Sequence, residues 1–380
     1  MTERVTDAGN EPALDLVGRL VPATLKGLHA LEFAGRHLSP AALPQLIDAM
    51  RGRDDELKAA LADSRALTWP DRLQPVRACL EPAGEAVAEG IAALRSAANE
   101  PQPIVAAYRA VRNYARAAQA IYPLAAFFRP ISQFFLEQAV RDDADLQATL
   151  AAVDPAREKV GVMHAGGPPG TRGGFSLYVP ETYDQGRTYP LVVALHGGSG
   201  NGGAFLWSWL REARTRGFIV LAPTAIGSTW SLMDPDTDGP SIDRMVDQVA
   251  GEWRIDAGRQ LLTGMSDGGT FSYVLGLRGG CRFTHIAPVA AAFHPMMLTF
   301  ADEDRLRDLP VYIVHGVEDW MFPPQLARQA EQTLGQAGAR VTYREIADLS
   351  HTYPRDENGA MLDWFMGDSC SSPPLGGEAG

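Results

Sequence analysis

The sequence predicts an α/β fold with a mostly parallel, helix-covered sheet, preceded by an all-helical N-terminal domain. Three observations carry this expectation. Up to about residue 155 the apolar positions recur at helical spacing in a background of Ala, Leu, Arg and Glu. Beyond about residue 170 short apolar runs alternate with helical segments, the grammar of strands connected by crossover helices. Between the two lies GVMHAGGPPGTRGG, residues 161–174, which has neither period and reads as a linker. The expected division is a helical domain over 1–157, an α/β domain over 158–368, and a disordered tail over 369–380 that is small, polar and turn-prone.

In the first part, Ser39-Pro40 offers an N-cap and a first-turn proline, with Leu43, Leu46, Ile47 and Met50 forming one face of the helix that follows. Pro101 and Pro103 introduce a second pattern, in which Ile104, Tyr108, Val111, Ala115 and Ala118 share a face. In all, about four to six helices are expected here. In the second part, strands are expected at FSLYVP (175), LVVALHG (191), FIVLAPT (218), QLLTGMS (260), HIAPVAA (285), VYIVHG (311) and VTYREIA (341).

With 380 residues, 46% hydrophobic and 21% charged, the chain has material for one large and one smaller core. A net charge of -12 without clustered Lys and Arg argues against a nucleic-acid partner. No run of about 18 apolar residues is present, so no membrane-spanning helix is expected. The acidic start, MTERVTDAGNEPALDLVGRL, lacks the basic region and apolar stretch of a signal peptide, which leads us to expect a cytoplasmic location. Cys79, Cys281 and Cys370 are too few and too scattered for a disulfide framework or a zinc site. The eight histidines include no HExxH and no His/Cys cluster, so no metal is expected.

The chemistry is concentrated in the second part. Gly264-Met265-Ser266-Asp267-Gly268-Gly269 matches G-x-S-x-G and follows the apolar strand QLLT, the context of a nucleophile elbow. Serine is a weak nucleophile at neutral pH and needs a base, itself oriented by a third group. Around such an elbow the chain order is nucleophile, acid, base. Glu318 and Asp319 follow the strand VYIVHG, and a single histidine, His351, comes after them. His285, His294 and His315 precede the carboxylates and read as strand-end or pocket residues. An oxyanion needs preorganised N–H donors. The loop His196-Gly197-Gly198-Ser199-Gly200 offers Gly198 as one, and Asp267, next after the serine, offers the other. The loop lacks the lysine and the glycine spacing of nucleotide-binding loops.

Together LHGGSGNGG, GMSDGG, HGVEDWMFPP and LSHTYP resemble the α/β-hydrolase superfamily, most nearly its phospholipase/carboxylesterase, feruloyl-esterase and polyhydroxybutyrate-depolymerase-like branch, over about residues 160–368. The resemblance implies a cofactor-free serine esterase that forms an acyl-enzyme on Ser266 with a small to medium ester as substrate. The spacing H-G-x-x-D with proline soon after resembles the acid loop of such enzymes and favours Asp319, with Glu318 as the alternative. The HGGSG loop departs from the HGGG of the hormone-sensitive-lipase-like group. Trp230, His294 and Trp320 are candidate pocket residues because they lie beyond strand C-terminal ends. A peptidase or acyltransferase using the same triad is the rival reading, and a binding or assembly protein with a relic hydrolase is the rival of another class. For the helical part three roles stay open: a cap over the acyl pocket, an oligomerisation unit giving a homo-oligomer, or a packing domain.

Overall fold

The computed structural model describes residues 11–367; the expected tail at 369–380 and Cys370 lie outside the described residues. The chain divides into two compact units, one of Met1–Val160 with Asp348–Thr352, the other of Gly161–Ala347 with Tyr353–Gly380.

The first unit is built from α1 (Glu11–Arg36), α2 (Leu43–Ala49), α3 (Asp55–Ala66), α4 (Gln74–Ser96), α5 (Pro103–Val111), α6 (Asn113–Ile121), α7 (Arg129–Phe134) and α8 (Ala144–Ala151). There are more helices than the periodicity suggests, for a local reason. The pattern from Ile104 to Ala118 reads as one helix, but α5 ends and α6 begins at Arg112, so the apolar face continues across a break that spacing alone does not record. Ser39 accepts a hydrogen bond from Ala42 N–H at 3.0 Å, yet α2 starts only at Leu43, with Pro44 in its first turn. The unit's core is a seam of α1, α4 and α6 contributed by Leu20, Leu28, Leu31, Val87, Ile91 and Ala117, all buried. Helices approach closely here because Gly27 faces Val87, where any side chain on Gly27 would collide. The buried Asp54 is paired with Lys58 at 2.6 Å and Arg95 at 3.4 Å, which satisfies a charge that isolation would make costly.

The second unit is an eight-stranded sheet in the order β1-β2-β4-β3-β5-β6-β7-β8, where β1 is Gly161–Ala165, β2 Phe175–Val179, β3 Tyr189–Leu195, β4 Ile219–Pro223, β5 Ile255–Met265, β6 His285–Val289, β7 Pro310–Gly316 and β8 Arg340–Ile346. β1 and β2 run antiparallel to their neighbours and every other pairing is parallel. The connecting helices are α9 (Gly202–Phe205), α10 (Leu210–Arg216), α11 (Pro235–Glu252), α12 (Asp267–Gly276), α13 (Glu303–Leu306), α14 (Gln325–Gln336) and α15 (Asn358–Met366). The central strands read as unbroken apolar runs because both faces are covered: Leu191 to Leu195 and Ile219 to Ala222 are fully buried.

One expectation is corrected. Residues 161–174 are not simply a linker, since Gly161–Ala165 pairs with Phe175–Val179 as the edge strand β1. Its residues after Gly161 are only half-buried, so no alternation betrays it. The glycine-rich remainder turns the chain back into β2, with Gly166 and Gly173 at positive φ.

The sheet order fixes where a site can form. From β3 the chain passes to β4 on one side, while β5 on the other side leads to β6. The loops leaving β3 and β5 therefore diverge, and the crevice between such loops is where ligands bind in open α/β sheets.

Candidate active site

Ser266 stands between the end of β5 and the start of α12 with φ 56° and ψ −121°, a region that non-glycine residues rarely occupy and that costs on the order of 1–3 kcal/mol. The strain is held by its own backbone, as Ser266 N–H donates to Val289 O at 2.9 Å and its carbonyl accepts from Thr270 N–H at 2.8 Å. The motif glycines are a steric requirement of this turn. A Cβ on Gly264 would lie 2.6 Å from the backbone of Gly268, and one on Gly268 would strike the carbonyls of Leu195 and His196. Strand, elbow and helix can meet only where both positions lack side chains.

The loop after β3 lies beside this serine, because a Cβ on Gly197 would be 3.5 Å from Ser266 Cβ. Several bonds shape it. The buried His196 accepts at Nε2 from Ala225 N–H at 3.1 Å, which assigns its proton to Nδ1, where it donates to Gly197 O at 2.7 Å. Gly200 N–H also donates to Gly197 O, and Ser199, at φ 55°, donates from N–H to Ser228 O. Trp230 donates from its indole to His196 O at 2.7 Å and stacks on Phe271 at 5.5 Å. Only 3% of Trp230 is exposed. From this buried position its ring and indole N–H brace the glycine loop.

Gly198 and Asp267 are brought together. The Asp267 carboxylate would sit 2.7 Å from a Cβ on Gly198 and accepts the Thr229 hydroxyl at 2.6 Å. Asp267 is the first residue of α12, so its N–H belongs to the helix terminus whose donors have no intrahelical partner and carry the positive end of the dipole.

At the end of β7, Glu318 is exposed while Asp319 is buried. Asp319 Oδ1 accepts from Met321 N–H at 2.9 Å and Phe322 N–H at 2.8 Å. Asp319 Oδ2 lies 3.4 Å from Nε2 of His315, which also bonds to Phe322 O at 2.8 Å. The carboxylate is thus fixed from the tight turn that follows it and from the strand that precedes it. His351 is buried as well, in the segment Asp348–Thr352 that belongs to the helical unit.

His294 is exposed and accepts Met296 N–H at Nδ1, while Trp320 is 44% exposed beside the acid. His196, Thr229 and His315 also shape the site, and of these only Thr229 lies outside every motif. His196 stands at the head of the glycine loop and His315 at the head of the H-G-x-x-D spacing. Among the described residues no group of three His, Cys, Asp or Glu side chains could hold a metal ion, and no helix is long and apolar enough to cross a membrane.

A mostly parallel sheet with a strand-to-helix elbow after β5, a glycine loop after β3 and a buried carboxylate after β7 gives the second unit the architecture of the α/β-hydrolase fold. Among proteins of described activity, the chain is 30% identical over 176 residues to a bifunctional acetylxylan esterase/xylanase of Neocallimastix patriciarum, covering 44% of this chain and 24% of that one. It is 26% identical over 157 residues to a probable feruloyl esterase C of Aspergillus niger, covering 39% of this chain and 56% of that one. The chain thus spans little more than half of one of these relatives and about a quarter of the other. The solved structure of a thermostable esterase superposes with a TM-score of 0.44 at 22% identity, over 54% of this chain and 62% of that one. No family model matches the chain.

Proposed function

We propose that this protein is a serine carboxylesterase that hydrolyses small to medium carboxylic esters through an acyl-enzyme on Ser266. The observation that carries the proposal is the strained backbone of Ser266, enforced by two glycines that tolerate no side chain. Strain of this kind at a strand-helix turn serves to present a side chain, and a mere turn has no need of it.

In the proposed mechanism Ser266 Oγ attacks the ester carbonyl while His351 takes its proton, and Asp319 orients the imidazole and stabilises it once charged. The C–O bond to the alcohol breaks as His351 returns the proton to the leaving oxygen. Water then attacks the acyl-enzyme with His351 again as base, releasing the acid and restoring Ser266. The N–H groups of Gly198 and Asp267 stabilise the oxyanion in both halves. Asp319 is preferred over Glu318 because it is buried and two backbone N–H donors fix its carboxylate in place. Trp320 and His294 are proposed to meet the acyl group. A cytoplasmic location is proposed as well, and among the described residues the thiols of Cys79 and Cys281 are unpaired.

The test is a series of p-nitrophenyl esters from acetate to long chains, with feruloyl and acetyl sugar esters added on the strength of the relatives. Run alongside it, labelling by a fluorophosphonate is expected to modify Ser266 in the parent and to vanish, with turnover, in Ser266→Ala. Equal turnover by parent and variant would overturn the assignment.

A further inference from the structure

The five residues around His351 are held by groups that lie far away in the sequence. Tyr108, on α5, donates its hydroxyl to the His351 carbonyl at 2.7 Å across 243 positions. On the C-terminal side, Thr352 donates its hydroxyl to the Arg36 carbonyl at 3.1 Å across 316 positions. Arg36 is the last residue of α1, so its carbonyl is one of those a helix end leaves without an intrahelical partner, and Thr352 fills that vacancy. On the N-terminal side, Nη2 of Arg36 reaches Asp348 Oδ1 at 3.1 Å. This guanidinium holds the Asp348 carboxyl below its ordinary range and keeps the pair charged near neutrality. Within the segment, Thr352 N–H donates to Ser350 O at 2.9 Å, closing a tight turn at the histidine itself.

We propose that the helical unit positions the catalytic base, with Tyr108 and the C-terminal end of α1 clasping the main chain on both sides of His351. The inference rests on the reading of Ser266 and His351 as nucleophile and base. Its physical ground is the tolerance of proton transfer: the base nitrogen has to stand about 2.6–3.2 Å from the oxygen whose proton it takes, and displacement by about 1 Å costs on the order of a hundredfold in rate. A side chain is placed no better than the backbone that bears it. A segment between a strand end and a helix would explore several backbone states, and these anchors select one. All three bonds fall on main chain or on neighbours of His351, so removing them leaves the imidazole's own chemistry intact. What changes is the fraction of time it stands in place. Tyr108, Arg36 and Thr352 are therefore positioning residues, and their loss is to be seen in kcat with little effect on KM.

The experiment uses the full chain with single variants Tyr108→Phe and Thr352→Val, each removing one hydroxyl, and Thr352→Ser, which restores the donor. Active sites are titrated with a fluorophosphonate, and kcat per titrated site and KM are measured with p-nitrophenyl acetate. Tyr108→Phe and Thr352→Val are each expected to lower kcat per site about tenfold, with KM within about twofold of the parent, while Thr352→Ser recovers most of the lost rate. Two results overturn the inference. One is kcat per site within about twofold of the parent in both variants. The other is a loss of titratable sites at unchanged kcat per site, which would make the bonds supports of folding alone. A parent protein that takes no label at Ser266 would instead remove the functional reading beneath it.

Discussion

Glu318 and Asp319 are adjacent carboxylates with one strand before them and one proline turn after, and their environments differ completely. Glu318 meets solvent, whereas Asp319 is enclosed with two backbone N–H donors on one oxygen and His315 near the other. Asp319→Asn keeps the shape, but its amide would set a donor toward Nε2 of His315 and would no longer stabilise a charged imidazole. We expect kcat to fall by roughly 10³–10⁴ in that variant and to stay within about twofold in Glu318→Gln, measured on the same short-chain ester. Equal losses in the two would return Glu318 to candidacy.

The turn joining β5 to α12 is a backbone device, and its sensitivity is to volume. In Gly268→Ala the new methyl meets the carbonyls of Leu195 and His196, neither of which can rotate away. Destabilisation of roughly 2–4 kcal/mol is expected in urea unfolding, with loss of ester turnover in whatever remains folded. A second element, the start of β6, gives the stability a pH dependence. His285 packs edge-on against Trp364 and Phe365 of α15, and burial, with help from the charges of Arg340 and Arg305, lowers its pKa to about 4. Unfolded, the imidazole titrates near 6.5. Between those values the unfolded chain binds a proton that the folded chain refuses, so stability present above pH 6.5 is lost as pH falls toward 4. Melting temperature should decline over that interval, and less steeply in His285→Phe, which keeps a ring but cannot titrate. An unchanged slope would mean that other groups govern the acid limb.

At the scale of the whole molecule, the segment that bears His351 is shared out in an unexpected way, as Asp348–Thr352 groups with the helices and not with the strand that precedes it. A chain beginning at Gly161 keeps β1 to β8 and loses Arg36 and Tyr108. If the helices were no more than a lid over the acyl pocket, such a chain would still turn over acetate and would change only its chain-length preference. If they hold the base, turnover of the smallest ester falls at least about tenfold, with the sheet's fold monitored by circular dichroism. Acetate turnover near the parent value would favour the lid.

The sequence by itself determined the α/β grammar of the second unit, because strands covered on both faces must be apolar throughout and so announce themselves as runs. It also determined the elbow, since the close approach of Gly264 and Gly268 to backbone leaves no alternative residue. The edge strand β1 and the break at Arg112 stayed hidden, the first because a half-exposed strand has no strong pattern, the second because an apolar face can continue across a change of helix. Position along the chain marks Trp230 as a residue near the site, and only the folded structure showed that its indole touches the carbonyl of His196. The tertiary structure alone showed Asp319 buried and Glu318 exposed, and tied Tyr108 and Arg36 to the segment of His351. Burial and contacts between residues hundreds of positions apart depend on how elements pack, and no local pattern of residue types encodes them.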